Sequence, residues 1–472
     1  MQYTSLAFYM FLLAAVVLYY IMPAKYRWYV LLAGSIFFYA SLMSRKLDGI
    51  LFLATIMISW LAGILLEKDN GNRRIILIGG LGLSVLPLLL VKLSGFMPGG
   101  FSLIVPAGLS FYTLQIVSYL VDIYRKDTQA EHNFLKYALF ISFFPQIIQG
   151  PIPRHSQLAP QLYEGHRFSE KQFFGGLQLI LYGFFLKLMI ADKAGIFASR
   201  VFDNSAQYSG TYLWLAAILY SFQLYTDFFS CVTICQGVSG LFGIQLAENF
   251  DHPYMALSIQ EFWRRWHISL SSWLRDYIYI PLGGSRKGEL RRYINLVVTF
   301  LVSGIWHGSG LNYIAWGLLH GVYQIAGRLS SGLRQKMHAM AGLAEDTVVY
   351  RIIRRLGTFF WVMLGWIVFR APGLRAALSF IRRLWVWNPW TLFDGSICRL
   401  GLDAKDWLVL LVSLVIMGVI STAQMKGSVR DWYAKQNIAV RWVLCFGMIF
   451  MIWIFGSYGY GFAAGDFIYG GF

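Results

Sequence analysis

Two different kinds of sequence meet in residues 261–320, which read EFWRRWHISLSSWLRDYIYIPLGGSRKGELRRYINLVVTFLVSGIWHGSGLNYIAWGLLH. The first part is charged and rich in tryptophan, and it contains His267. The second part belongs to residues 293–327, which include no Asp, Glu, Lys or Arg and yet carry His307 and His320. An ionisable side chain at membrane depth costs free energy unless it is hydrogen-bonded or lines a wet cavity. Both histidines are therefore candidate functional groups.

The surroundings of His307 favour a functional role over ordinary packing. Residues 303–310 read SGIWHGSG, with glycines at 304 and 308 one helical turn apart. Glycines at this spacing let another backbone approach closely, and those after the histidine allow the chain to bend. We therefore expect His307 to meet a substrate rather than lipid. The alternative that stays open is a packed histidine hydrogen-bonded to a neighbouring carbonyl.

The composition places the chain in a lipid bilayer. It is 57% hydrophobic and 13% charged, whereas charged residues make up about a quarter of soluble domains. The formal net charge is +17, and the Lys and Arg residues form short clusters between apolar runs, as the positive-inside rule predicts for cytoplasmic loops. Because these residues form no continuous face, we expect anionic membrane lipids, and not nucleic acid, as partners.

Runs without charged residues recur at membrane-spanning length. They are residues 1–24, 28–44, 49–66, 75–91, 93–121, 137–153, 204–226, 228–247, 293–327, 407–425 and 442–465. Since about 20 residues cross the hydrocarbon core, these runs predict about 11 to 13 membrane segments, some of them re-entrant or interfacial. We predict an all-α polytopic membrane protein built around a central funnel or tunnel. It would be a single domain, residues 1–472, with its core motifs in residues 100–330.

Two stretches contain residues that break helices. Residues 143–154 read FFPQIIQGPIPR, with three prolines and a glycine, and residues 106–108 read PAG. Non-helical backbone at membrane depth is tolerated only where protein or a water-filled cavity satisfies it, so residues 143–154 predict a cavity wall. Gln115 and Tyr119, which follow the second break, share a helix face.

One carboxylate lies deep in an apolar region. Asp227 is the only charged residue between Asp203 and Glu248, and it belongs to the sequence Tyr225-Thr226-Asp227-Phe228. Such a group either stays neutral or pairs with a buried donor. A hydrogen-bonded tether between helices and a catalytic role are both open.

The tryptophan-rich block predicts an amphipathic helix. Trp263, Trp266, His267 and Leu270 recur at i, i+3, i+4 and i+7. Such a helix would lie in the membrane interface or line the cytoplasmic mouth.

Basic residues surround His267 in the same block. Arg264, Arg265 and Arg275 would attract a phosphate-rich donor, and lipid phosphates would be attracted equally well. The sequence has no zinc, nucleotide-loop or dinucleotide motif. We expect no metal and no tightly bound cofactor.

Several motifs together resemble one family. They are EFWRRWHISLSSWLRDYIYIPLGGSRKG followed by GIWHG, PAGLSFYTLQIVSYLVDIYR (106–125), FFPQIIQGPIPR (143–154), YTDF (225–228) and ENFDHPY (248–254). This set resembles the membrane-bound O-acyltransferase family, closest to its alginate O-acetyltransferase branch. Where that branch continues YxDF with GYSD, this chain has Ser230-Cys231-Val232-Thr233. A role for that Ser-Asp pair cannot be transferred.

The resemblance implies acyl transfer from a thioester to a hydroxyl, with the catalytic histidine at His307. A neutral imidazole suits a general base near pH 7. In the family, the histidine at the position of His267 belongs to the active-site region as well. We favour a supporting functional role for His267 over that of a structural interfacial histidine. We place Asp227, Trp306, Asn312, Gln115 and Tyr225 as supporting or tunnel residues.

Three functions stay open from the sequence. The first is acetyl transfer from cytoplasmic acetyl-coenzyme A to a polysaccharide hydroxyl outside the cell. An exported acetyltransferase or a small membrane protein would act as partner, and the location would be the bacterial inner membrane. The second is D-alanyl transfer to teichoic acids from a carrier protein. The third is a transporter or flippase, which the absence of detectable inverted repeats disfavours.

The basic clusters also predict an orientation. Lys25, Arg27, Arg73 and Arg125 belong to clusters that follow the first, third and fifth apolar runs, which places the N-terminus outside, although Arg45 and Lys46 oppose this. His307 lies 15 residues after Arg292, or roughly 22 Å along a straight helix. We therefore expect His307 near mid-membrane, at the narrowest point of the tunnel, with Trp306 and Asn312 close by.

Overall fold

The computed structural model describes residues 1–68, 71–94, 105–340, 342, 344, 347–458 and 467. Within these ranges the chain is helical throughout, and its only β-structure is an isolated antiparallel bridge between Phe250 and Trp266. The Cα positions group into two compact units. The first unit contains residues 1–184, 228–248 and 466–472, and the second contains residues 185–227 and 249–465.

Among the residues that the structure describes, the first unit contains eight complete helices. They are α1 (Leu6–Ile21), α2 (Arg27–Leu42), α3 (Lys46–Glu67), α4 (Arg73–Ser94), α5 (Leu109–Arg125), α6 (Phe134–Ser142), α7 (His155–Glu164) and α8 (Glu170–Phe184).

The other helices belong wholly or partly to the second unit. They are α9 (Asp192–Asp203), α10 (Thr211–Gly240), α11 (Ile259–Arg265), α12 (Ile268–Leu274), α13 (Glu289–His307), α14 (Leu311–Leu329), α15 (Ser331–Met340), α16 (Val348–Arg370), α17 (Leu374–Arg383), α18 (Ala404–Gln424), α19 (Val429–Ala434) and α20 (Ile438–Phe455). The division between units falls within α10. Two π-helical segments, Phe185–Ala191 and Arg275–Tyr279, follow α8 and α12.

Seven helical segments in the described ranges are long and apolar enough to cross a membrane. They are Lys46–Glu67, Arg73–Ser94, Glu170–Asp203, Thr211–Gly240, Val348–Arg370, Ala404–Gln424 and Ile438–Phe455. Helix α20 leaves large apolar side chains such as Val443 and Trp453 about 70% exposed, as suits contact with lipid. The prediction of an all-α polytopic membrane protein is confirmed. The number of segments, about 11 to 13, and the central tunnel stay predictions.

Three details of the predicted segments are wrong. The predicted segments 204–226 and 228–247 are not separate helices, because the single helix α10 (Thr211–Gly240) runs through both. The spans Glu170–Asp203 and Val348–Arg370 were not expected, because each contains charged residues. The predicted face of Trp263 to Leu270 does not lie on one helix, since α11 ends at Arg265 and α12 begins at Ile268.

In the first unit, side chains satisfy the backbone where the helices break. Residues 143–154 form turns and extended backbone, as the prolines predict. The amide of Phe144 donates to Ser35 Oγ at 3.1 Å, and its carbonyl accepts from Tyr3 Oη at 2.8 Å. Helix α5 begins at Leu109, after Gly108 with φ 73°, so the break at residues 106–108 is also confirmed.

In the second unit, α13 and α14 form a hairpin held by glycines. A Cβ on Gly304 would collide with the Tyr313 carbonyl oxygen, and one on Gly317 would collide with the Phe300 carbonyl oxygen. The two helices therefore touch backbone to backbone, as the SGIWHG motif predicts. The turn at residues 308–310 places His307 at the end of α13.

Candidate active site

His307 is enclosed by aromatic side chains from three helices. It is 2% exposed. Its ring centroid lies 4.8 Å from that of Trp306, 5.1 Å from that of Trp316 and 5.5 Å from that of Phe369, all at steep interplanar angles. We name these four residues the His307 box. Trp306 comes from α13, Trp316 from α14 and Phe369 from α16, so tertiary packing rather than local sequence assembles it.

His320 has a different environment, in which its ring already has a donor. Trp263 Nε1 donates to His320 Nδ1 at 3.2 Å, and the imidazole is fully buried. A ring that accepts at Nδ1 carries its proton on Nε2 when neutral. A Cβ on Gly365 would lie 2.6 Å from that Nε2, so α16 passes directly beside the ring. These contacts assign His320 to packing between α11, α14 and α16.

His267 occupies the turn between α11 and α12. Its backbone is left-handed, with φ 45° and ψ 55°, a conformation that histidine adopts more readily than most residues. Asn249 holds this turn, because its carbonyl accepts from Ile268 N at 2.9 Å and its Oδ1 accepts from Ser269 N at 3.0 Å. The motif at residues 248–254 thus fixes the backbone around His267.

The side chain of His267 faces the same tryptophan as His307. Its ring centroid lies 6.2 Å from that of Trp306, and the residue is 1% exposed. Burial lowers the pKa of His267 to about 3, so this imidazole is neutral near pH 7. The structure therefore brings together both predicted catalytic histidines around Trp306, with the second held uncharged.

Asn312 and Tyr225 support the site through packing and hydrogen bonds. Asn312 Nδ2 donates to the carbonyls of Phe369 and Ala371 at 3.3 Å and 3.2 Å, which ties the start of α14 to the end of α16. The Tyr225 ring lies 6.0 Å from Trp266, the residue before His267. Both are buried. Asn312 thus steadies the His307 box, and Tyr225 packs behind the His267 turn.

Asp227 pairs with a buried lysine. Lys187 Nζ lies 2.7 Å from Asp227 Oδ1 and 2.9 Å from Asp192 Oδ1. All three side chains are at most 9% exposed. Lys187 belongs to the π-helical segment Phe185–Ala191, and such segments are frequent at functional sites. The sequence left open whether Asp227 is neutral or paired with a buried donor, and in the structure it is paired with Lys187.

The three arginines predicted to bind the donor differ in their surroundings. Arg265 forms an ion pair with Glu261 at 2.7 Å, and Arg275 pairs with Asp276 at 2.8 Å. Arg264 is exposed, and it forms no ion pair with any residue that the structure describes. Arg264 is thus the one best placed to attract a phosphate.

Gln115 lies on α5 of the first unit, where it is 2% exposed. The other predicted site residues belong to the second unit. The role of Gln115 at a tunnel stays a prediction.

Sequence reasoning did not find Lys187, Asp192, Trp316 or Phe369. A signal for the first two existed, since Lys187, Asp192 and Lys193 are charges within an otherwise apolar run, and intramembrane charges are by default functional candidates. Trp316 and Phe369 had no signal of this kind, because apolar aromatic residues are common throughout the chain.

Comparison with known proteins shows where this site belongs. The sequence model of the MBOAT, membrane-bound O-acyltransferase family matches residues 99–369. The chain belongs to the membrane-bound O-acyltransferase family. The matched region contains His267, the whole His307 box and the Lys187–Asp227 pair. Membership establishes an O-acyltransferase and argues against the transporter alternative.

Individual relatives come from two groups of enzymes. The chain is 35% identical to the peptidoglycan O-acetyltransferase of Helicobacter pylori over 420 residues, which covers 81% of this chain and 76% of the relative. It is 34% identical to the probable alginate O-acetylase AlgI of Pseudomonas fluorescens, covering 89% and 80%. A teichoic acid D-alanyltransferase of Bacillus subtilis is 27% identical, covering 71% and 88%.

Proposed function

We propose that this chain transfers an acetyl group from a cytoplasmic thioester, acetyl-coenzyme A, to a hydroxyl reached from the outer face of a bacterial inner membrane. The observation that carries the proposal is the placement of His307, which is buried among aromatic rings and shares Trp306 with a second, uncharged histidine. The similarity to acetylases of peptidoglycan and alginate supports acetyl as the group and a polysaccharide as the final acceptor.

His307 acts as the general base in this proposal. The acceptor oxygen attacks the thioester carbonyl while the imidazole takes the hydroxyl proton, and the thiol leaves with a proton as the tetrahedral intermediate collapses. The rings of the His307 box exclude water that would otherwise hydrolyse the donor. His267, being uncharged, does not repel a proton that arrives on His307.

The donor side is assigned to the arginine-bearing block. Arg264 is exposed and lies three residues before His267 in the chain, so a coenzyme A phosphate bound there would bring its thioester arm toward the histidines. An exported acetyltransferase or a small membrane protein receives the acetyl group in this scheme. The narrow passage that separates donor from acceptor, with His307 at its constriction, is part of the proposal.

A second candidate is D-alanyl transfer, which the Bacillus subtilis relative supports through coverage of most of its length. It uses the same histidine chemistry with a carrier-protein thioester as donor.

The test uses the full-length protein in lipid nanodiscs with a soluble oligosaccharide as the hydroxyl acceptor, supplied in parallel with radiolabelled acetyl-coenzyme A and D-alanyl carrier protein. Release of thiol with acetyl-coenzyme A alone would support the proposal. Release only with the D-alanyl carrier would select the second candidate, and release with neither donor would contradict both. His132→Ala, which removes an exposed histidine of the first unit, is the matched control for His307→Ala.

A further inference from the structure

The first unit contains a row of buried polar atoms that lack hydrogen-bond partners. They are Gln115 Oε1, Gln146 Oε1 and Nε2, Gln149 Oε1 and His155 Nε2, for which the described residues supply no partner. The four side chains are between 0% and 9% exposed. Buried polar groups are nearly always hydrogen-bonded, so several unsatisfied ones in a single region indicate that something polar belongs there. We name these four residues the glutamine seam.

Two contacts show that the seam follows the join between α5 and residues 143–155. At the start of α5, a Cβ on Gly108 would collide with the carbonyl oxygen of Ile147. Further along the helix, the Tyr119 ring lies 5.0 Å from the ring of His155. Gln115 precedes Tyr119 by one helical turn and shares its face. It therefore points toward the segment that carries the other seam residues.

Hydrogen bonds fix the backbone next to the glutamine seam. The backbone of Phe144 forms hydrogen bonds with the side chains of Tyr3 and Ser35. Gln149 Nε2 donates to the Phe467 carbonyl at 3.4 Å, which leaves its Oε1 available. The backbone is therefore held in place, while the five seam atoms named above have no hydrogen-bond partner among the described residues.

The chemistry of the seam selects one class of ligand. Carboxamides both donate and accept hydrogen bonds, and a neutral imidazole does the same. None of the four side chains carries a carboxylate, an ammonium or a guanidinium group. Arg154, which precedes His155, is partly exposed and already engaged in other contacts. A charged group would lack a counter-charge here, whereas a sugar hydroxyl, which donates and accepts, would satisfy the amides.

We propose that the glutamine seam is a binding site for the uncharged hydroxyl groups of a saccharide. Identification of this saccharide with the polysaccharide that finally receives the acetyl group rests on the proposed function. Binding itself does not, because it requires no thioester and no catalytic histidine.

The experiment measures binding of cellotetraose to the full-length protein in nanodiscs, by saturation-transfer NMR and isothermal titration. We expect saturable binding to the wild type, weakened about tenfold by Gln146→Met and again by Gln149→Met, since each change removes a hydrogen-bonding amide of similar volume. Gln157→Met, at an exposed glutamine of α7, should bind as the wild type does.

The Met variants also report on folding. Gln146→Met removes buried polar atoms for which the described residues supply no partner, so the thermal midpoint of the ligand-free protein should stay equal or rise in this variant. Gln149→Met also loses the long hydrogen bond to the Phe467 carbonyl, so its midpoint should fall slightly below that of Gln146→Met. Binding to the wild type that is not saturable, equal binding by Gln146→Met and Gln149→Met, or equal weakening by Gln157→Met would overturn the proposal. Density in a ligand-soaked structure that shows water alone along the seam would overturn it as well.

Two further measurements separate this site from catalysis. His307→Ala should bind cellotetraose like the wild type, and Gln146→Met and Gln149→Met should still bind acetyl-coenzyme A with the wild-type affinity. If the protein binds saccharide through the seam but transfers no acetyl group, the proposed function is contradicted and the proposed saccharide site is supported. If it transfers acetyl groups but binds no saccharide, only the proposed saccharide site is overturned.

Discussion

Lys187 Nζ lies 2.7 Å from Asp227 Oδ1, and the two side chains are only 4% and 3% exposed. The same ammonium contacts Asp192 at 2.9 Å. One buried ammonium thus pairs with two carboxylates, one on α10 and one at the start of α9. Removing the lysine leaves buried carboxylates without a paired cation.

Lys187→Met should therefore lower the free energy of unfolding by about 3 to 5 kcal/mol, measured by thermal unfolding in detergent. Asp227→Asn keeps a hydrogen-bonding group and should cost less, about 1 to 3 kcal/mol. Lys171→Met, at an exposed lysine of α8, serves as control. An unchanged midpoint for Lys187→Met would show that the pair does not stabilise the fold.

His307→Ala should reduce acyl transfer by about 100- to 10,000-fold, the range of general-base catalysis, with little change in expression. His320→Ala should mainly lower stability rather than activity, because it leaves the buried Trp263 indole N–H without its hydrogen-bond acceptor. That loss should cost about 1 to 3 kcal/mol of stability and leave part of the activity. Transfer rates and unfolding midpoints measured on both proteins distinguish the two roles. A well-expressed His307→Ala protein with near-normal turnover would refute the assignment.

The stability of the protein should fall in mild acid because of His267. Its pKa is lowered by burial from 6.5 to about 3 in the folded protein, so below pH 6.5 the unfolded chain binds a proton that the folded chain does not. This stabilisation is complete above pH 6.5 and is lost as pH falls toward 3. At pH 5 the loss should be about 2 kcal/mol.

The difference between the wild type and His267→Asn isolates this contribution, since asparagine tolerates the left-handed backbone and does not titrate. Unfolding midpoints compared at pH 7.5 and pH 5 should fall further in the wild type. Parallel shifts in both proteins would contradict the lowered pKa.

Arg264→Ala should raise the KM for acetyl-coenzyme A about tenfold, the effect of losing one charge-assisted hydrogen bond, and should weaken its dependence on ionic strength. Arg275→Ala is the comparison, because Arg275 is exposed but already paired with Asp276. Steady-state kinetics at low and high salt give both quantities. Identical KM values for Arg264→Ala and the wild type would direct the search for donor contacts to other basic residues.

Sequence alone locates most membrane helices but does not indicate Glu170–Asp203, because the segment carries Lys187, Asp192 and Lys193. A count of charges cannot show that Lys187 is neutralised by a residue 40 positions away. The same pairing lets α10 continue through Asp227, where the sequence predicts a division into two segments.

The site was only partly predictable for a similar reason. His307 is marked by its own neighbours in sequence, and the family motifs point to it. The turn at His267 depends on Asn249, which is distant in sequence, so the periodicity of residues 263–270 predicts a continuous helix that does not form. Trp316 and Phe369 reach His307 from separate helices, and nothing local distinguishes them from other aromatic residues.

The glycine contacts between α13 and α14 restrict how the proposed acyl site can change during evolution. No methyl group fits at Gly304 or Gly317 while the two helices keep this contact, so a larger residue at either position would displace one helix from the other. If the acyl group binds beside His307 as proposed, space for a longer chain is more easily gained through smaller residues at Trp316 or Phe369. We expect descendants with altered chain-length preference to differ at those two positions while retaining both glycines.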